Sequence, residues 1–211
     1  YPAEEIKKLK EECQAQVVEA ENDPEKQFYI GTYLIEGKND FPINVYLGVK
    51  YLERSISGKN IESTYYLSYM LFKGEIIEQD LKKAKKYLSK QLKMNDIRID
   101  ILYYKICMKE QNYKEAIKFI EKHAKSHDTY SMYKYGKMLL LGLGCKKNDD
   151  EGLHYINESI NQGFQRSEIF LHIFNKMNEN ESFSKLPSEI QNYFIKQIVK
   201  YNLNLNNPDK E

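Results

Sequence analysis

The sequence predicts an all-α chain, an α-solenoid of about five helix-turn-helix hairpins. Three observations lead there. Apolar residues recur with helical period almost throughout: Ile6, Leu9, Cys13 and Val17 keep one face, as do Leu81, Ala84, Leu88 and Leu92, and Ile117, Ile120 and Ala124. No stretch has the sustained two-residue alternation of a half-buried strand. A pattern of small residues, Gly and Asn or Asp also returns at a near-fixed interval, which marks a repeat array.

Taken in chain order, residues 4–20 read as one amphipathic helix. It sits in an N-terminal element 1–22 that is either a cap or the end of a preceding repeat, closed by the breaker Asn22-Asp23-Pro24. Three segments then superimpose: Ile30-Gly31-x5-Gly37, Leu67-Ser68-x5-Gly74 and Tyr135-Gly136-x5-Gly142, with Leu34, Leu71 or Leu139 in between. Each leads through a loop to a second anchor: Asn44-x3-Gly48-x2-Tyr51, Asp80-x3-Ala84-x2-Tyr87 and Asn148-x3-Gly152-x2-Tyr155. Asn112-x3-Ala116-x2-Phe119 supplies a further second half, and the small residues at 48, 84, 116 and 152 set intervals of 36, 32 and 36. The register divides the chain into repeats over 23–58, 59–94, 95–126 and 127–163, followed by a capping hairpin and tail over 164–211. In that last part Ser167-x3-Leu171-His172 continues the register as a fifth first helix. Ser188 to Tyr201 is its expected partner, and the tail from Asn202 is expected to fray.

Each recurring residue has a physical reason. Asn44, Asp80, Asn112 and Asn148 suit the N-cap of the second helix, where a side-chain oxygen accepts a free backbone N–H. Gly37, Gly74 and Gly142 suit the end of the first helix, where the chain turns through positive φ. Small residues on facing helices (Gly31 with Gly48, Ser68 with Ala84, Gly136 with Gly152) let two backbones approach. Tyr51, Tyr87, Phe119 and Tyr155 are expected to fill the space between neighbouring hairpins, since one hairpin alone cannot bury that face. The third copy departs from the pattern: Tyr104 stands at the small position, and its anchors are 12 residues apart against 17, 16 and 16 elsewhere. That copy is expected to pack unlike its neighbours.

Composition bounds the function. The chain has 211 residues, a net charge of +1, 41% hydrophobic and 30% charged residues, which suits a folded repeat array and not a disordered chain. A near-zero net charge argues against a general nucleic-acid binder. The 14 basic and 8 acidic residues from Lys73 to Lys125 nevertheless make the middle basic, while residues 1–30 carry 4 basic and 8 acidic. No apolar run approaches the roughly 18 residues needed to span a bilayer, so no membrane insertion is expected. Cys13, Cys107 and Cys145 form no even disulfide framework and lack metal-pair spacing, and are expected to be reduced structural thiols. The start at Tyr1 reads as a piece of a longer protein.

The linked run Leu/Tyr-Gly-x2-Leu-x2-Gly, a loop, then Asp/Asn-x3-Ala/Gly-x2-Tyr resembles the Sel-1-like repeat, a relative of the tetratricopeptide repeat. The likeness covers roughly residues 24 to 163 and is fullest from Asp128 to Gly163, where Gly142-Leu143-Gly144 is similar to the Gly-x-Gly turn of the family. Copy one has Lys38-Asn39-Asp40-Phe41-Pro42 in place of that turn. The resemblance implies a right-handed superhelix, a scaffold or adaptor role, and a groove lined by the first helices. Carried over by position, that groove takes Phe28, Thr32, Ile35 and Glu36 from copy one and Tyr65, Tyr69, Phe72 and Lys73 from copy two. Copy three adds Ile101, Lys105, Met108 and Lys109, copy four Tyr133, Lys137, Leu140 and Leu141, and the fifth helix Ile169, Ile173 and Lys176. The residues expected to grip a partner are Phe28, Tyr65, Tyr69, Phe72, Lys73, Lys105, Lys109, Tyr133 and Lys137. The partner is then another protein or a neighbouring domain of the same polypeptide, with acidic ligand residues favoured. The Lys and Asn clamp of chaperone-type tetratricopeptide domains is absent, because its Asn-type positions carry Thr32, Tyr69, Lys105 and Lys137.

Catalytic patterns are weak. Ser131-Met-Tyr-Lys134 matches the Ser-x-x-Lys nucleophile motif, which makes a serine hydrolase the alternative reading, but no Lys-Thr-Gly accompanies it. A nucleic-acid-binding module acting through the central lysines is the third. His123 and His127 are four apart, yet a helix break near Ser126 separates them. Asp149-Asp150-Glu151 suits a helix start without any reaction. The expectation is therefore no catalytic residue, no metal and no cofactor.

Overall fold

The computed structural model describes residues 3–206, with side chains to residue 199. Among the described residues there are thirteen α-helices, one 3-10 turn and no strand. The chain falls into two compact units, Tyr1–Ile106 and Cys107–Glu211. The first holds α1 (Ala3–Lys7), α2 (Glu11–Glu19), α3 (Pro24–Glu36), α4 (Val45–Ser57), α5 (Ile61–Lys73), α6 (Leu81–Ser89), the 3-10 turn Leu92–Met94 and most of α7 (Ile97–Lys109). The second holds α8 (Tyr113–Lys125), α9 (Thr129–Leu141), α10 (Asp149–Asn161), α11 (Gln165–Asn178), α12 (Glu181–Ser184) and α13 (Ser188–Asn206). The unit boundary lies inside the copy that the sequence marks as atypical, where Tyr104 is buried.

Within each unit the hairpins close by backbone contact. A Cβ placed on Gly48 would lie 2.8 Å from the Gly31 carbonyl oxygen, and one on Gly136 would lie 2.8 Å from that of Gly152. At the third pair the Ser68 hydroxyl donates to the Ala84 carbonyl at 3.4 Å. The loops end alike. Asn44, Asp80 and Asn148 each donate a backbone N–H to the carbonyl of Leu34, Leu71 or Leu139, at 2.7, 3.0 and 3.0 Å. Their side chains then accept from Leu47, Lys83 and Glu151 N–H at 3.0, 2.8 and 3.2 Å, and Asn112 accepts from Glu115 at 3.4 Å. Gly37, Gly74 and Gly142 sit at φ 68°, 73° and 63°, the left-handed turn that ends each first helix. Of the aromatic anchors, Tyr51 is buried, Tyr87 donates from α6 to Glu53 of α4 at 2.9 Å, and Tyr155 packs edge-on to Tyr135 of its own hairpin at 4.9 Å.

Two sequence expectations are corrected. The single N-terminal helix is two, α1 and α2. The Leu9 N–H turns back to the Ile6 carbonyl at 3.0 Å, Lys10 is extended at ψ 151°, and the Gln14 side chain donates to the Leu9 carbonyl at 2.8 Å. Leu9, Cys13 and Val17 stay buried with Leu34, Phe41, Leu47 and Tyr51, so the apolar stripe survives the break. At the other end α13 runs on to Asn206, so the start of the tail is helical; residues 207–211, and Tyr1 and Pro2 of the N-terminal element, lie outside the described residues. The short α12 has no counterpart in the repeat register.

A buried hydroxyl seam joins successive hairpins, a feature the small-residue pattern does not announce. In the first unit the Ser55 hydroxyl, at the end of α4, donates to the Pro24 carbonyl at the start of α3 and accepts from Ser63 of α5 at 2.6 Å. In the second, Ser159 of α10 donates to the Thr129 carbonyl of α9 at 3.1 Å and bonds Ser167 of α11 at 2.8 Å. Gln91 and His123 occupy the matching register positions and are buried as well. The sequence does carry a signal for it: polar residues at 55, 91, 123 and 159 repeat the 36, 32 and 36 spacing of the small anchors. Replacing Ser159 by Ala removes one partner from the buried Ser167 hydroxyl and one from the half-buried Thr129 carbonyl, and is expected to lower unfolding free energy by about 1–2 kcal/mol. Urea denaturation checks this, with the exposed Ser126→Ala as the control that leaves the midpoint unchanged.

Candidate functional site

The exposed first-helix face of the first unit lies on α3 and α5. Helical spacing puts Tyr65, Tyr69 and Lys73 on one stripe of α5. Tyr65 and Tyr69 stack with ring centroids 6.0 Å apart, and Tyr69 is 40% exposed. Arg98 of α7 lies 5.4 Å from the centre of the Tyr65 ring and Lys73 lies 5.9 Å from that of Tyr69, so each ring carries a cation. Arg98 is held by both Glu62 oxygens at 2.7 and 2.9 Å and by Asp96 at 2.8 Å. Lys73 pairs with Glu75 at 3.0 Å. Phe28 of α3 is half-buried, edge-on to Tyr66 at 6.2 Å. The Tyr66 hydroxyl donates to Glu36 at 2.9 Å, and burial with that carboxylate pushes the phenol up to about 12. Phe72 is half-buried and Lys105 is exposed, while Thr32 and Ile35 are core.

The equivalent face of the second unit is closed. Tyr133 and Lys137, both expected to line the groove, are only 3% and 8% exposed. The physical reason is a tertiary contact: α9 packs against α13, and α11 brings Phe170 onto it. Tyr133 is hemmed in by Phe164 at 5.4 Å and Phe170 at 5.9 Å, and the Lys137 ammonium lies 5.8 Å from the centre of the Phe170 ring. Burial, with Lys196 nearby, pulls Lys137 down to about 7. Leu140, Leu141 and Ile173 are core; Lys109 is exposed, but these neighbours of the expected groove are not.

The residues singled out for chemistry are accounted for structurally. Ser131 is fully buried and donates its hydroxyl to the capping carboxylate of Asp128 at 2.6 Å. Lys134 lies over the Tyr130 and Tyr133 rings at 5.1 and 4.8 Å. The serine-hydrolase reading therefore loses its nucleophile. His123 is buried in the last turn of α8, whereas His127 is exposed beyond its end at φ 60°. Asp149, Asp150 and Glu151 form the first turn of α10. Within the central basic segment Lys73, Lys83 and Lys125 pair with Glu75, Glu53 and Glu121, which lowers the net field that a nucleic acid would meet.

Stacked helical hairpins with an aromatic first-helix face define a class, the all-α repeat proteins of the solenoid type. The Sel1 repeat model matches residues 61–95 and 129–164, so these two segments are Sel1 repeats, a repeat type that generally serves protein–protein interaction. A Sel1 repeat protein from Oxalobacter formigenes is similar in structure over 72% of this chain and 64% of its own, with TM-score 0.62 and 18% identity. The protective antigen c5321 of uropathogenic Escherichia coli, which has an SLR fold, is similar over 90% of this chain and 48% of its own, with TM-score 0.59 and 18% identity. At that identity the likeness is one of fold, and this chain spans less than two thirds of either structure. Among curated proteins, no sequence matches. No described helix is long and apolar enough to cross a membrane.

Lys137 carries a pH prediction. Its folded pKa of about 7 lies below that of an unfolded lysine, so between the two the unfolded chain binds the extra proton. Stability of the parent should therefore rise as pH increases from about 7 towards the ordinary lysine range near 10. In Lys137→Met that rise should shrink and the protein should be more stable at neutral pH, read as urea midpoints across the range.

Proposed function

We propose that this chain is an interaction scaffold or adaptor module that holds a peptide or domain of a partner protein on the first-helix face of its first unit. The observation that carries the reading is the stacked Tyr65–Tyr69 pair with its flanking cations. Two-torsion aromatic side chains offer large contact area at little entropic cost, and they are already ordered against each other before a partner arrives. Phe28, Phe72, Lys73 and Lys105 complete the surface. Tyr133 and Lys137 drop out of it, because side chains packed beneath α11 and α13 do not meet a partner. The expected preference for acidic ligands also weakens: Lys73 is engaged by Glu75 and Arg98 by Glu62 and Asp96, so the rings and not a free positive field supply recognition.

Aromatic anchors dominate such interfaces, and truncating one costs about 2 kcal/mol or more at a hot spot. Partners recovered with the full chain should bind the Tyr69→Ala, Lys105→Ala double variant at least about tenfold more weakly. Circular dichroism should show its helicity unchanged. Binding equal to the parent's would move the site off this face.

A further inference from the structure

The turn between α5 and α6 differs from its two counterparts in one respect. In the α3–α4 turn Phe41 is buried at 3% exposure, and in the α9–α10 turn Leu143 is buried at 2%; each turn is anchored by its own apolar residue. In the α5–α6 turn Ile76 is 54% exposed and Ile77 is only half-buried. The register explains the difference. Ile76 stands where the α9–α10 turn has Gly144, and a Cβ on Gly144 would lie 2.2 Å from the Tyr113 carbonyl oxygen at the start of α8. Glycine lets that turn press directly on the helix start below it. Isoleucine leaves no room for that approach, and Glu75 takes the register position of the buried Leu143, so the α5–α6 turn has neither of the contacts that seal the α9–α10 turn.

Beside this turn is a groove of about 580 Å³, lined by Val45, Tyr46 and Val49 of α4, Leu71 of α5 and Ile77, Glu78, Gln79 and Asp80 of the turn, with Lys83 of α6. Its apolar wall includes Tyr46, which is 63% exposed. The turn is pinned at both ends: the Asp80 N–H donates to the Leu71 carbonyl at 3.0 Å and the Gln79 side chain to the Phe72 carbonyl at 2.7 Å. A site held open in this way has little ordering left to do on binding. Its lining is net acidic, with Glu78 and Asp80 against Lys83. Lys83 is engaged by Glu53 at 2.9 Å, and Lys50, beside Tyr46, approaches the same Glu53 at 3.5 Å. Glu78 has no ion pair among the described residues, and Asp80 gives one oxygen to the α6 cap.

We propose that this groove is a second docking site, for an extended peptide of a partner protein that presents a large apolar side chain next to a lysine or arginine. The apolar side chain enters between Tyr46, Val49 and Ile77, and the cation meets Glu78 and Asp80. The site is separate from the α5 tyrosine face and does not rest on it.

The test pans a random-peptide phage library on the immobilised full chain. Enriched clones should carry an aromatic or aliphatic residue beside Lys or Arg. Their recovery should fall about tenfold or more on Tyr46→Ala and on Glu78→Lys, and stay unchanged on Tyr69→Ala. Both groove positions are solvent-exposed, so the variants should keep the parent's thermal melt, and Glu78→Lys alone decides if Tyr46→Ala does not. Clones without that pairing, or clones that bind both groove variants as the parent, overturn the proposal. Loss on Tyr69→Ala alone assigns the peptides to the α5 face and also overturns it. Sedimentation of the parent as an oligomer that Tyr46→Ala makes monomeric gives the groove to a second copy of the chain, and the proposal fails in that case too.

Discussion

The structure depends on a backbone contact. Where Gly31 meets Gly48 and Gly136 meets Gly152, two helices run so close that the space for a Cβ is taken by a carbonyl oxygen of the opposite helix. Larger side chains there would hold the helices apart, and the loop bonds from Asn44 to Leu34 and from Asn148 to Leu139 would no longer reach. Once two helices are locked at that distance, the rest follows: the N-cap side chain closes the second helix, the left-handed glycine ends the first, and the hydroxyl at the end of the second helix meets the start of the next hairpin. In a repeat array each such unit contacts its neighbours alone, so a local distance propagates along the chain.

Much of this was legible in the sequence because it is local. Caps, turn glycines and small-residue pairs are set by steric and hydrogen-bonding needs within a few residues, and Asn44, Asp80, Gly74 and Gly142 do what their residue types demand. The hydroxyl seam was legible too, through its spacing, but polar residues inside a helix carry no signal until the register is imposed on them. The break between α1 and α2 was not: Leu9 keeps the apolar period unbroken while the backbone turns, so periodicity reads straight through it.

The site was legible only in part, for a different reason. Register places Tyr69 and Tyr133 on the same face of their respective first helices, and a period cannot say which later segment will cover a face. On α5 the tyrosines stay accessible; on α9 the same face is taken by Phe170 and by α13, leaving Lys137 in apolar surroundings. A repeat protein thus has both an open and a closed version of one surface, and the difference between them lies in what the C-terminal helices do. The α5–α6 turn makes the same point on a smaller scale, since Glu75 and Ile76 stand where the sealed α9–α10 turn has Leu143 and Gly144.

The most direct test of the backbone contact is the urea midpoint of Gly136→Ala. Gly136 lies inside α9, where helix propensity alone makes alanine more stable than glycine by about 1 kcal/mol. The close approach to the Gly152 carbonyl and to Ile156 predicts the opposite sign, a lower midpoint with an unchanged slope, because the new methyl group forces the two helices apart. A midpoint raised by the amount that propensity gives would contradict the account.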